Sequence, residues 1–226
     1  MADRGDNIFV YLGGEQVVPD GVTHVRIRRS VKIIPRRAFE GRRNLVSVET
    51  HNEIEKVEGY AFSGCRSLKG IKLPGVREIK GGAFDDCTSL TDVEFGDKLE
   101  TIGEYAFIYC PIQKIKMPSV RTIETWAFGD CEQLTDVELP DIETIGLFAF
   151  TECSSLRGIN LPGVREIEEW AFLGCASLTD VEFGDKLETI GEYAFYYCPL
   201  QNIKMPTART IEGEAFCECE QRRNAL

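Results

Sequence analysis

Apolar residues recur along the chain with a step of about 22 residues, a period typical of stacked repeat proteins. Within one unit, Ile71 and Leu73 alternate with polar neighbours, which predicts a short strand with one buried face. Pro74 ends that strand, Ile79 points inward on the return, and Phe84 fills the back of the coil. Because one unit cannot bury these side chains alone, we expect the units to stack around one continuous core.

An Ala-Phe pair marks each unit. The phenylalanines of these pairs are Phe39, Phe62, Phe84, Phe107, Phe128, Phe150, Phe172, Phe195 and Phe216. They predict a single solenoid of about nine units over residues 22–219. A longer duplication lies above this period, because the block from Leu90 to Phe107 recurs unchanged from Leu178 to Phe195. Such duplication supplies scaffold and by itself indicates no site.

The repeated unit L-x-x-I-x-L-P-x-x-V-x-x-I-x-x-x-A-F-x-x-C resembles the BspA-like class of leucine-rich repeats over nearly the whole chain. The resemblance implies a curved leucine-rich-repeat solenoid with a parallel β-sheet on the concave face. It implies short helical or irregular segments on the convex face. It also implies binding or adhesion rather than catalysis, and several members of the class are surface proteins.

The two ends of the chain depart from the repeat. Residues 1–21 are predicted to form an N-terminal cap, because apolar residues 8–12 and 16–18 flank Gly13-Gly14, a pattern typical of a β-hairpin. Residues 220–226 form a C-terminal tail, interpreted as part of a truncated repeat.

The last unit is expected to keep one apolar side partly exposed, because the tail is too short for another strand and return. The residues concerned are Ile203, Met205, Ile211 and Phe216. Two interpretations stay open. The chain is a piece of a longer repeat protein, or this end pairs with a second copy in a two-fold homodimer.

Eight of the nine cysteines fall three residues after the Phe of an Ala-Phe pair. They are Cys65, Cys87, Cys110, Cys131, Cys153, Cys175, Cys198 and Cys219. One cysteine at the same place in each unit predicts a column of buried free thiols rather than disulfides. Free thiols favour a reducing compartment.

One row of charged residues is predicted to cross the concave face, at the strand position between the two inward side chains. The row is Arg26, Glu49, Lys72, Glu94, Lys116, Glu138, Asn160, Glu182 and Lys204. A flanking column contains Asp92, Lys114, Asp136 and Asp180. Alternating signs allow the row to neutralise itself. The other interpretation, compatible with the first, is that a protein partner binds these residues on the concave face.

Two further features each have a structural and a functional interpretation. The residue before Ala-Phe is aromatic in six units, as at Trp126 and Trp170. These rings form either a second packing ladder or an exposed binding surface. Arginine and lysine crowd residues 26–43. They form either a solvated first coil, an anion-binding patch or a head-to-tail contact between copies.

Catalysis, nucleic-acid binding and membrane insertion find no support in the sequence. The net charge is −11 with a pI near 4.8, whereas phosphate binding needs a basic surface. No run of about 18 apolar residues occurs. The two histidines, His24 and His51, belong to no motif for catalysis or metal binding, so we expect neither enzyme activity nor a cofactor or metal.

The leading hypothesis is therefore a non-catalytic protein-interaction module. The alternative is a structural or adhesive repeat protein that acts by self-association. The N-terminus lacks the basic-then-apolar layout of a signal peptide, which predicts a cytoplasmic or other intracellular location. A surface location is the expectation if the chain is a piece of a longer protein.

Overall fold

The computed structural model describes residues 8–205 and 209–219, which form a solenoid of parallel strands. The longer strands are β1 (Phe9–Tyr11), β2 (His24–Ile27), β4 (Ser47–Glu49), β6 (Gly70–Leu73), β8 (Asp92–Phe95), β10 (Lys114–Lys116), β12 (Asp136–Glu138), β14 (Gly158–Leu161), β16 (Asp180–Phe183) and β18 (Asn202–Lys204). The two-residue strands are β3 (Ile33–Ile34), β5 (Lys56–Val57), β7 (Glu78–Ile79), β9 (Thr101–Ile102), β11 (Thr122–Ile123), β13 (Thr144–Ile145), β15 (Glu166–Ile167), β17 (Thr189–Ile190) and β19 (Thr210–Ile211). The predicted solenoid is confirmed. The described residues contain no helix, so turns replace the short helical segments that the resemblance implied.

The longer strands bury every second side chain, as the apolar alternation predicts. In β14, Ile159 and Leu161 are buried whereas Asn160 is exposed. The longer strands pair in parallel in two five-stranded sheets, one from β1 to β8 and one from β10 to β18. The outward side of these sheets is the concave face.

The two-residue strands form a second, continuous sheet of nine parallel strands from β3 to β19. Each strand from β3 to β17 buries its second residue, for example Ile79 and Ile102. The sequence predicts the inward direction of Ile79 but not this sheet, because two residues are too few to show an alternation.

A turn segment closes each coil, and the stacked turn segments make up the turn face. A coil runs from a longer strand through a two-residue strand to the Ala-Phe pair, so that coil four contains Phe107 and coil five contains Phe128. Phe107 and Phe128 stack with ring centroids 5.3 Å apart, and Phe128 and Phe150 with centroids 5.4 Å apart. The Phe107 N–H donates to the Ala127 carbonyl at 2.8 Å. The turn segments are therefore joined to one another both by aromatic stacking and by a third ladder of backbone hydrogen bonds.

The cysteine column lies inside the coils. All nine cysteines are free, and every one except Cys217 is buried. Each buried thiol donates to the Phe carbonyl of the preceding coil, as in the contact from the Cys131 Sγ to the Phe107 oxygen at 3.2 Å. Burial raises the pKa of the Cys131 thiol, and it raises the pKa of Cys219 to about 11. These thiols therefore have little thiolate character at neutral pH and act as packing residues.

The predicted N-terminal hairpin is wrong. β1 pairs in parallel with β2, with Phe9 opposite Val25, and residues 12–18 contain no second strand. The Gln16 side chain bonds backbone groups of residues 10 and 12 that a hairpin partner would otherwise bond. Its Oε1 accepts a hydrogen bond from the Leu12 N–H at 2.6 Å, and its Nε2 donates one to the Val10 carbonyl at 3.4 Å. The first coil is thus covered by one more parallel strand.

The last coil keeps apolar side chains partly exposed, as predicted. Ile203, Met205 and Phe216 are only partly buried, and Ile211 is 45% exposed. The tail 220–226 lies outside the described residues. The homodimer through this end stays a prediction.

Candidate interaction surface

The charged row predicted for the concave face consists of exposed side chains on successive longer strands. Arg26 lies opposite Glu49, and Lys116 lies opposite Glu138, in parallel register. Arg26 and Glu49 form an ion pair at 2.5 Å, and Lys116 and Glu138 form one at 2.7 Å. The row therefore neutralises much of its own charge.

The ion pairs join the strands two by two. The pairs, in chain order, are Arg26–Glu49, Lys72–Glu94, Lys116–Glu138 and Glu182–Lys204. Asn160 lies between Glu138 and Glu182 in the register and interrupts the alternation. Hydrogen bonding and the Glu138 charge raise the pKa of Lys116, and the hydrogen bond from Arg26 lowers the pKa of Glu49.

The flanking column is also partly neutralised. The Lys114 Nζ lies 3.5 Å from an Asp136 carboxylate oxygen. The Asn202 Nδ2 donates to the Asp180 Oδ1 at 2.6 Å, and hydrogen bonds from Thr179 and Asn202 lower the pKa of Asp180. Both columns thus hold fixed, exposed charges of both signs.

A groove of about 1540 Å³ crosses the concave face where the two sheets meet, between β8 and β10. The predicted residues among those that line it are Glu49, Lys72, Asp92, Glu94, Lys114, Lys116, Asp136 and Glu138. A hollow of about 350 Å³ brings together Asn160, Asp180, Glu182 and Lys204. Arg26 lines neither. Eight of the thirteen predicted residues therefore belong to one groove, and four belong to a smaller hollow in the second half.

The floor of the groove is apolar and partly open. Val93 and Phe95 are half-buried, although they point inward. The same four-residue sequence forms β16, where Val181 is 2% and Phe183 4% exposed. Identical strands thus differ in burial because their surroundings differ, and the sequence of the strand alone gives no signal of the groove.

The break in the sheet follows a shortened connection. Leu90 comes three residues after Cys87, but Ile112 comes two residues after Cys110. β10 pairs in register with β12 but forms no strand ladder with β8. The sheet is therefore interrupted on the β8 side of β10. β18 has the same short connection but pairs with β16, and it is the last longer strand of the described residues.

The histidines are ordinary surface residues by their contacts. The His24 Nδ1 lies 2.9 Å from the Thr23 Oγ1, and the His51 Nε2 lies 3.0 Å from the Arg28 carbonyl oxygen. Within residues 8–205 and 209–219, no group of three or more His, Cys, Asp or Glu is arranged to hold a metal ion.

Reversing one charge of the row tests its self-pairing. Lys116→Glu places a third carboxylate between Glu94 and Glu138, so we expect a melting temperature lower by about 2 °C at low salt and a smaller change at high salt. Lys186→Glu, an exposed site with no ion pair among the described residues, is the control with equal charge change. Equal changes in melting temperature for the two variants would show that ion pairs within the row do not stabilise the fold.

The chain belongs to the BspA-type leucine-rich repeat family. The family described as "BspA type Leucine rich repeat region (6 copies)" matches residues 20–132 and 109–223. In this chain, each repeat contributes one longer strand, the Phe of an Ala-Phe pair and, in all but the first repeat, a buried cysteine. Proteins of this solenoid class are generally non-catalytic and act in protein interaction or as surface repeats.

Solved structures of bacterial proteins are similar to the chain. A leucine-rich repeat protein of T. pallidum is 29% identical, with a TM-score of 0.53 and coverage of 84% of this chain and 78% of that one. A leucine rich cell surface protein of Faecalibacterium prausnitzii is 26% identical, with a TM-score of 0.53 and coverage of 83% and 61%. A leucine-rich repeat protein of Bacteroides ovatus is 26% identical, with a TM-score of 0.42 and coverage of 80% and 58%. The chain thus spans about three fifths of the last two proteins.

No curated protein sequence matches the chain. In the part of the chain that the structure describes, no helix has the length and apolar character needed to cross a membrane.

Proposed function

We propose that this chain is a non-catalytic module that binds a protein partner on its concave face, in the groove between β8 and β10. The groove carries the proposal because it combines a partly open apolar floor, Val93 and Phe95, with fixed charges on its rims. Protein-binding surfaces commonly have this composition, an apolar centre within a polar rim. Burial of the floor supplies affinity, and the charges select the orientation of the partner.

The charged rims favour a polypeptide partner with side chains of both signs. Lys72 and Lys116 each have an acidic neighbour in the row at 2.6 and 2.7 Å, so a partner of one sign would break existing pairs. No nucleic acid, cofactor or metal is part of the proposal.

Site-specific photo-crosslinking tests the location of the site, because the chain contains an internal control. A photoreactive phenylalanine analogue replaces Glu94 at the groove or Glu182 at the identical strand of the second half. In cells that make the protein, we expect adducts with a distinct partner protein from position 94 and few from position 182. A third variant carries the analogue in place of Glu143, beside the second sheet. Equal yields at positions 94 and 182, or adducts only from position 143, would contradict the proposal.

The alternative function is a structural or adhesive repeat that acts by self-association, and the Faecalibacterium prausnitzii protein called a cell surface protein favours it. The nine free thiols favour instead a reducing, intracellular location. Light scattering across a concentration series separates the two functions, since the interaction module stays monomeric and the array protein does not.

A further inference from the structure

A row of aromatic side chains runs along the turn face, apart from the concave groove. Tyr105, Trp126, Phe148, Trp170 and Tyr193 occupy the position before Ala-Phe in coils four to eight. Successive ring centroids lie 6.4, 4.7, 6.1 and 4.3 Å apart. The rings thus form the packing ladder that the sequence allowed, but none is buried, and Tyr105 is 41% exposed.

The backbone of these residues is left-handed, with φ between 55° and 57°. Aromatic residues rarely adopt this conformation, which costs roughly 1–2 kcal/mol. In the first four of these residues it lets the amide donate a hydrogen bond to the next coil, as the Trp126 N–H does to the Leu147 carbonyl at 2.9 Å. The row is therefore held rigidly in place, and a rigid aromatic surface is a favourable one for binding.

Carboxylates surround this row without cations. From coil four onward, residues 103–111, 124–132, 146–154, 168–176, 191–199 and 212–219 contain no lysine or arginine. Their acidic residues are Glu104, Glu124, Asp130, Glu132, Glu152, Glu168, Glu169, Glu192, Glu212, Glu214 and Glu218. Among the described residues, none of these carboxylates makes an ion pair. Burial and then the charge of Glu132 raise the pKa of Asp130.

The other two sides of the solenoid pair many of their acidic residues with cations. The concave row pairs with itself, and the residues beside the second sheet do the same. Their pairs are Arg77–Glu100 at 3.7 Å, Arg121–Glu143 at 2.9 Å and Arg165–Glu188 at 3.1 Å. The excess negative charge of the chain is therefore concentrated on the turn face, beside exposed aromatic rings.

We propose that the turn face of coils four to nine binds an extended, arginine-rich segment of a partner protein. The basic side chains meet the unpaired carboxylates, and their aliphatic stems cover the aromatic row. The first coils show this chemistry within the chain itself. The guanidinium carbons of Arg36 and Arg37 lie 5.6 and 5.4 Å from the ring centroid of Tyr60, which occupies the same turn position in coil two.

The dimensions suit a short segment. Four coil steps of ~4.8 Å separate Tyr105 from Tyr193, or roughly 19 Å, the length of about six extended residues. A second copy of the chain fits less well. Its basic turn around Arg36 and Arg37 belongs to a single coil, whereas the carboxylates of the turn face extend over coils four to nine.

The only two tryptophans of the chain, Trp126 and Trp170, both lie in the row, so intrinsic tryptophan fluorescence reports on this surface. We expect octa-arginine to change the emission saturably and octa-glutamate to leave it unchanged. No saturable change with octa-arginine would overturn the proposal. A change on dilution of the protein without peptide would show that a second copy is the occupant, and would overturn it as well.

Two matched variants separate this site from general acidity. Asp130→Asn, Glu132→Gln and Glu152→Gln together should weaken octa-arginine binding about tenfold. Glu100→Gln, Glu143→Gln and Glu188→Gln together change the net charge equally beside the second sheet, and should weaken it less than about twofold. Equal losses for the two triple variants would mean that the peptide responds only to net charge.

Discussion

Alanine in place of Phe128 is expected to lower the free energy of unfolding by about 3–5 kcal/mol. Phe128 is fully buried and stacks on both Phe107 and Phe150, at centroid distances of 5.3 and 5.4 Å. Its removal therefore leaves a cavity that faces two coil interfaces. In a repeat array, stability is close to a sum over neighbouring interfaces, so a central loss weakens both halves.

Phe216→Ala is the control for that measurement. Phe216 is only partly buried, and among the described residues it stacks on one Phe of the column, Phe195, at 5.3 Å. We expect less than half the loss of Phe128→Ala when urea unfolding is followed by circular dichroism. Equal losses at the two positions would contradict stacking by nearest neighbours.

Alanine at Gly96 is expected to be the second severe change, with a loss of about 2 kcal/mol or more. A Cβ at Gly96 would lie 2.0 Å from the Pro74 carbonyl oxygen of the preceding coil. That contact is with backbone, so relief requires the two coils to move apart. The movement would also disturb the rim of the groove, which both residues line.

Gly21→Ala separates this clash from the general effect of replacing glycine. A Cβ there meets nothing within 4 Å, and Gly21 is absent from the left-handed residues. The unfolded chain loses the same freedom in both variants, so the difference in urea midpoint reports the clash. A midpoint for Gly96→Ala close to that of Gly21→Ala would show that the coils are not packed this closely.

The interior of the solenoid could be predicted from the sequence, because each interior residue repeats in register. Equivalent residues of successive coils form columns in the core and have nearly the same surroundings. Examples are the columns that contain Ile71, Phe84 and Cys87. The exposed charged row could be placed for the same reason, since Lys72 and Glu94 occupy equivalent strand positions.

Features that depend on neighbouring coils could not be predicted. The half-buried Val93 and the buried Val181 lie in strands of the same sequence, but the next strand pairs with β16 and not with β8. Trp126 has a left-handed backbone, which non-glycine residues disfavour. Its contacts with the next coil stabilise this conformation in spite of that local preference. The hairpin prediction failed since two glycines permit a reversal but do not require one. A weak signal did exist two residues after the Phe of each Ala-Phe pair, which is a second left-handed position. Glycine stands there in three coils, at Gly41, Gly64 and Gly174, and an acidic residue or tyrosine stands there in the others.

If the protein acts only by binding partners at its surfaces, its cysteines must be packing residues of the core and not reactive groups. Thiol titration of the native and the denatured protein, without reductant, tests this most directly. In the native protein we expect one rapidly reacting thiol, that of Cys217, and its loss in Cys217→Ala. After denaturation all nine should react, because none is in a disulfide. Several fast thiols in the native protein, or a deficit after denaturation, would contradict the buried cysteine column.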